Sequence, residues 1–310
     1  MKEGFNVTED LFLSRKRKLT DATLREIFQN YASDIELRDN LLYHCGLEDN
    51  VQPTLAHSKR LRAYLCLSLA EEKGFDIEII TPLACVVELI HNATLIVDDI
   101  QDNGIIRCGK TALWKKVGIP KAMNAAFFLA QLSLAYYNLK CKENQYFNYS
   151  EHIIKILDNL VSSQQLDIEE KKEMTLPLFE KIAIGKTGAL LRLSFLFGLM
   201  PFKFEEDKWD EIQEFINHFS CAYQALDDLA DINVAKKHAQ NYHLDSSNIY
   251  YCFFQKNERP IDPNANEKIQ IYIKETINKA NFSIEKMIEN KLLKTNSQLN
   301  AMINSICQSM

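Results

Sequence analysis

An all-α fold is what this sequence predicts, and three observations carry the prediction. Apolar residues recur every three to four positions along most of the chain. The period-two alternation of half-buried strands is almost missing. Only 9 glycines and 7 prolines interrupt 310 residues, so long helices can run unbroken.

In chain order, Leu24, Ile27, Phe28 and Tyr31 share one helical face, as do Leu61, Leu65 and Leu69. Further helices are predicted over 80–102, 121–140, 150–168, 176–199, 208–237 and 268–292. Segments 83–97 and 125–137 have too little polar surface to lie outside, which predicts central helices wrapped by the others. Breaks fall at Gly46–Pro53, Gly104–Gly118, Lys142–Asn148, Pro201–Asp207 and 257–267. The last, with Pro260 and Pro263, is the clearest loop. No shift in composition and no short repeat divides the chain, which predicts a single all-helical domain over 1–310.

Composition narrows the function classes. A hydrophobic content of 46% and a charged content of 25% suit a soluble globule with a substantial core. The net charge of −6 argues against a nucleic-acid partner, which would want a basic stripe. The 8 cysteines are scattered without a CxxC pair, as reduced thiols of a cytoplasmic protein are, and exclude a zinc site by spacing. No run approaches the roughly 18 apolar residues of a transmembrane segment, and the N-terminus lacks the apolar core of a signal peptide. The basic run Arg15-Lys16-Arg17-Lys18 reads as a solvated helix end in preference to a targeting or lipid-surface patch.

The informative feature is a pair of acidic turns. Asp98-Asp99-Ile100-Gln101-Asp102 and Asp227-Asp228-Leu229-Ala230-Asp231 repeat one pattern, 129 residues apart. In each, the first and last carboxylates stand one turn apart on one helical face. Such a face suits Mg²⁺, which takes oxygen ligands and usually keeps a polyanionic substrate in its shell. Taken singly, either turn could be a solvated helix end. Both close apolar helix runs, however, where acidic clusters are costly unless paired or metal-bound. Facing one another across a cavity, the two turns would hold Mg²⁺ ions and a diphosphate, and the metal would stabilise charge on a departing pyrophosphate. The Glu-x-x-His pairs of a di-iron bundle are missing.

These residues carry a family resemblance. Glu88 to Asp102, followed by Arg107, resembles the first aspartate-rich region of the trans-isoprenyl diphosphate synthases (the polyprenyl synthetase family, geranylgeranyl and farnesyl diphosphate synthases among them). Ala222 to Asp231 resembles the second. Between them, in the family's order, stand Met123-Asn124-Ala125, Gln164-Gln165-Leu166-Asp167 and Lys186-Thr187-Gly188-Ala189-Leu190. Upstream, Ser58-Lys59-Arg60-Leu61-Arg62 is similar to its lysine/arginine motif. The match covers about 55 to 235.

The resemblance implies the class I isoprenoid synthase fold, a large bundle of antiparallel helices around a central cavity. It implies a Mg²⁺-dependent condensation, with about three ions, of an allylic prenyl diphosphate with isopentenyl diphosphate, by a homodimer. Asp98, Asp102 and Asp227 would be the leading metal ligands, with Asp99, Asp228 and Asp231 supporting. Arg107, Lys186, Thr187 and Gln224 would hold the allylic diphosphate, with Asp167 near the metals, and Lys59, Arg62 and His91 the isopentenyl diphosphate. Asp98, Asp102, Asp227 and Lys186 are thus the implied catalytic set. In this family the residues one turn before the first aspartate gate product length. Here they are the small Ala93 and Thr94, which predicts a deep pocket floored near Ile90 and a geranylgeranyl product.

The chain departs from the family pattern in three places. The second of two usual arginines is Cys108, with Lys110 as a possible point-charge substitute. His57 and Ser58 replace the glycines before Lys59. Two lysines after the second aspartate motif are missing: Asp245 can be matched, but Asn241 and about Tyr250 stand where they would, and Lys236 and Lys237 are the nearest cations. Two further readings therefore stand beside the first. One is a synthase-like enzyme that cyclises the prenyl group or passes it to another acceptor. The other is a non-catalytic partner subunit of a heteromeric synthase.

Overall fold

The computed structural model describes residues 15–48, 60–169, 173–199, 201, 209–237, 246–254 and 264–294, with side chains 234–237 and 265 outside that description. Lys59, Asn241 and Asp245 lie outside the described residues, as do the side chains of Lys236 and Lys237.

The described elements are helical apart from one hairpin. They run α1 (Arg15–Tyr31), α2 (Ile35–Cys45), α3 (Leu61–Glu72), α4 (Ile77–Gln101), β1 (Ile106–Arg107), β2 (Lys110–Thr111), α5 (Leu113–Val117), α6 (Ile119–Asn144), α7 (Ser150–Ile168), α8 (Leu176–Leu199), α9 (Trp209–Lys237), α10 (Tyr250–Phe253) and α11 (Ala265–Glu289). Helices α7 and α8 match the predicted spans, and α9 differs by one residue. Helix α4 begins three residues earlier than expected. Asp76 caps it by accepting the Glu78 N–H at 2.9 Å, and Pro82 sits in its second turn without ending it.

The chain divides into two compact units, Met1–Asn148 with Leu193–Phe204, and Tyr149–Arg192 with Glu205–Met310. In the first, α4 is the organising helix: α1, α3 and α6 all pack on it. Ile80, Leu83, Ala84, Val86, Val87 and Leu89 are buried there, as the scarcity of polar residues predicts. In the second, α9 packs along α11.

Helix α6 differs from the expectation of a wrapped central helix. Its inner face is buried through Ala122, Ala125, Leu129 and Leu132, but Phe127 is 65% exposed, and Met123 and Leu134 are exposed beside it. Apolar composition alone does not distinguish a helix buried all round from one with an uncovered apolar side.

Two helices, Ile77–Gln101 and Leu176–Leu199, are long and apolar enough to cross a membrane, and 72% and 83% of their apolar windows are buried inside the protein. The described cysteines are unbridged.

Candidate active site

In the first unit the acidic turn forms the end of α4. The Asp102 N–H bonds the Asp98 carbonyl at 2.8 Å, so the first and last aspartates stack one turn apart. Asp98 is half-buried and Asp102 exposed, whereas Asp99 points the other way and is 3% exposed. Its carboxylate is engaged by Arg107 on β1, with Nη2 2.5 Å from Oδ1 and Nε at 3.1 and 3.3 Å from the two oxygens. Burial opposes the Arg107 charge, but the Asp99 carboxylate more than offsets this and raises its pKa.

The same hairpin explains the position of Cys108. Ile106 pairs with Thr111 and Arg107 with Lys110, leaving Cys108 and Gly109 as a two-residue loop with φ of 51° and 75°. Two left-handed residues make a type I′ turn, where Asn-Gly is the favoured sequence. Cys108 is exposed at its first position. Lys110, the suggested replacement cation, is 2.5 Å from Glu48 and lies over the Tyr43 ring. That carboxylate holds it beside α2.

Farther back on α4, His91 meets Arg62 from α3, with Arg62 Nη1 donating to His91 Nε2 at 3.0 Å. Arginine has no acceptor, so Nε2 must accept and Nδ1 carries the proton. Burial, and then the nearby charges of Arg62, Arg107 and Arg60, push the His91 pKa well below its usual range, which keeps the ring neutral. His91 Nδ1 and Arg62 Nε are buried with no hydrogen-bond partner. Each orphaned buried donor is costly, and an anionic oxygen would relieve that cost. Ala93 and Ile90 are buried and Thr94 is half-buried, its hydroxyl bonded to the His91 carbonyl at 2.8 Å.

Sequence reasoning gave no role to Arg60, although it stands inside the quoted motif. Its guanidinium is 2% exposed and joins three elements: Nε donates to Asp21 on α1 at 2.8 Å, Nη2 to the Cys45 carbonyl at 2.7 Å, and Nη1 lies 3.5 Å from Glu88 on α4. The signal was Glu88 itself, a carboxylate in the apolar run of a central helix, which demands a buried partner.

In the second unit, Asp227 and Asp231 on α9 are exposed while Asp228 is 6% exposed. Asp228 accepts from the Ile249 N–H at 2.7 Å and from Gln224 Nε2 at 3.0 Å. Burial pushes its pKa up to about 7, against the opposing effect of those two donors. Thr187 donates to Gln224 at 3.4 Å, and Lys186 on α8 ion-pairs Asp167 on α7. Thr187, Gln224 and Asp228 thus form connected polar contacts, while Asp227 and Asp231 remain on the accessible side.

Both turns therefore solve the same problem in the same way. The outer carboxylates are presented and the inner one is buried as an anchor, Asp99 for the hairpin and Asp228 for the start of α10. The inner carboxylates of Asp99 and Asp228, expected as supporting metal ligands, thus each accept protein donors. Among the described residues, no group of three or more His, Cys, Asp or Glu side chains is placed to hold a metal ion. Two accessible carboxylates per turn nevertheless fit Mg²⁺, which is commonly bound through one or two carboxylates together with water and substrate phosphates.

Residues 46–248 match the polyprenyl synthetase family. The short chain isoprenyl diphosphate synthase of Methanocaldococcus jannaschii is 32% identical over 182 residues, 57% of this chain and 54% of that protein. The chain therefore matches about half the length of that relative. The farnesyl diphosphate synthase of Geobacillus stearothermophilus is 28% identical over 73% of this chain and 76% of that protein. Among solved structures, the geranyltransferase of Helicobacter pylori complexed with magnesium and isoprenyl diphosphate superposes with a TM-score of 0.71, at 18% identity, over 99% of this chain and 100% of the other. The fold is the all-α class I isoprenoid synthase fold. This chain belongs to the polyprenyl synthetase family.

Proposed function

We propose that the protein is a Mg²⁺-dependent prenyltransferase that condenses an allylic diphosphate with isopentenyl diphosphate to a short-chain product, best matched to geranylgeranyl diphosphate. The observation that carries this reading is the matched presentation of Asp98 with Asp102 and of Asp227 with Asp231. These four residues would hold about three magnesium ions. Bound there, the metal neutralises charge on the allylic diphosphate as its C–O bond breaks.

The remaining residues bind and orient substrate. Arg107 and Lys186 are each paired to an aspartate, so their charges are fixed in place before substrate arrives. Thr187 and Gln224 line the same polar contacts in the second unit. Arg62 and His91, with Lys59, are assigned to the isopentenyl diphosphate, and their buried orphaned donors support an anion there. The exposed apolar side of α6 supports a homodimer, which would cover it. The unbridged cysteines suit a reducing, cytoplasmic setting.

Incubation with Mg²⁺ and geranyl or farnesyl diphosphate, with and without isopentenyl diphosphate, tests the reading by mass spectrometry of the products. Elongation that requires both substrates is the expected result. A hydrocarbon or alcohol formed without isopentenyl diphosphate supports the cyclase or alternative-acceptor reading, which Cys108 favours. Silence relieved by a second subunit supports the partner reading.

Two variants probe the details. Ala93→Phe fills the wall one turn below Asp98, so the product should lose at least one five-carbon unit. An unchanged product overturns the pocket assignment. Cys108→Arg restores a cation at the tip of the hairpin, and the KM for isopentenyl diphosphate should fall about tenfold with kcat nearly unchanged. An unchanged KM removes the hairpin tip from that subsite.

A further inference from the structure

We propose that a groove between α7 and α8, separate from the residues assigned to diphosphate chemistry, binds a small amphiphilic anion, a carboxylate or phosphate on a short apolar chain. The groove has a volume of about 870 Å³, the size of small-molecule sites, and neither Asp167, Lys186 nor Thr187 lines it. The two helices touch where Gly185 meets Ser163, since a Cβ on Gly185 would stand 1.6 Å from the Ser163 hydroxyl. The groove opens beside that contact.

Its centre of chemistry is Arg192, which lines the groove and is 7% exposed. Among the described residues its hydrogen-bond partners are neutral. Nε donates to Gln213 Oε1 at 2.7 Å, Nη1 to the Ile184 carbonyl at 3.3 Å and Nη2 to Asn217 Oδ1 at 3.2 Å. Gln213 Nε2 donates to the same Asn217 oxygen at 2.6 Å, which fixes the amide cradle.

A guanidinium carries five N–H donors, so two remain after those three bonds. Among the described residues no carboxylate pairs with it. A buried charge without a counter-charge is unfavourable, and arginine does not relieve the strain by losing its proton. Burial pulls the Arg192 pKa down to about 10, in keeping with that cost. The missing counter-charge is what a ligand would bring.

The rest of the lining suits such a ligand. Lys181 adds a second positive charge, and Glu180, which accepts from the Tyr272 hydroxyl at 3.0 Å, offsets one. The balance is one positive charge, which matches a monoanion. Val161, Leu166, Pro177 and Ile184 supply apolar wall for a short chain.

Titration calorimetry of the full chain with EDTA present, using octanoate, octyl phosphate and inorganic phosphate as probes, tests the site. One equivalent of octanoate or octyl phosphate should bind, and the tighter of the two identifies the headgroup. Arg192→Gln and Ser162→Trp, the second filling the groove from the exposed side of α7, should each weaken binding at least tenfold. Failure of both alkyl probes to bind overturns the site. So does unchanged affinity in either folded variant. Inorganic phosphate binding as tightly as octyl phosphate overturns the amphiphilic ligand. If Arg192→Gln does not fold, Ser162→Trp decides alone.

Discussion

Asp227→Asn and Asp98→Asn should each lower kcat on the order of a hundred- to a thousand-fold and leave the melting temperature almost unchanged. The asparagine keeps the shape of the side chain and removes one charge from the accessible pair, Asp227 with Asp231 or Asp98 with Asp102. Removing one preorganised electrostatic group at a developing charge typically costs about 3–4 kcal/mol of barrier. Asp227 is exposed and Asp98 half-buried, and substitutions at accessible positions usually change stability by about 0.5 kcal/mol or less. The inner aspartates give the contrast. Asp99→Asn weakens the two-pronged hold on Arg107, and Asp228→Asn alters the acceptor of the Ile249 N–H, so each should lower thermal stability as well as rate. Steady-state kinetics across a Mg²⁺ titration, with differential scanning fluorimetry, separates the two behaviours. Full activity in Asp227→Asn would falsify the metal assignment.

That contrast was partly legible in the sequence. Helix geometry puts residues i and i+4 on one face and i+1 about 100° away, so Asp98 with Asp102 and Asp227 with Asp231 could be read as ligand pairs directly. What i+1 does could not be read, because its partners come from elsewhere in the chain: Arg107 from a hairpin and Ile249 from the segment after α9. The spans of α7 and α8 were legible because their apolar faces persist to both ends. The strands at 106–107 and 110–111 were not, since two-residue strands are too short to show a period. Their turn carried a signal in Cys108-Gly109, but cysteine is an unusual occupant of a left-handed position and hides it. The outer side of α6 was misread because Phe127 and Leu134 are as apolar as core residues, and the sequence does not say what covers them.

Arg60→Met should destabilise the protein by about 3–5 kcal/mol, the usual cost of removing one partner of a buried ion pair. The loss does not come mainly from the missing attraction. It comes from Glu88, which is 1% exposed and would lose its buried counter-charge, and from Asp21, which keeps Arg17 at 3.4 Å. Burial works against the Arg60 charge, yet Asp21 and Glu88 together raise its pKa, so the arginine stays charged and the three groups hold one another. The double variant Arg60→Met with Glu88→Met removes both buried charges and should recover most of the loss, since well-packed apolar replacements of buried pairs are often neutral. Urea unfolding of the two variants and the parent measures both steps. A single variant within about 1 kcal/mol of the parent would remove Arg60 from the core's supports. Activity carries the same prediction further. Arg60 joins α1, α2 and α4 at the start of α3, two residues before Arg62, and Arg62 meets His91 on α4. Folded Arg60→Met protein at low temperature should therefore show a raised KM for isopentenyl diphosphate, because the pair assigned to that substrate depends on the alignment of α3 with α4.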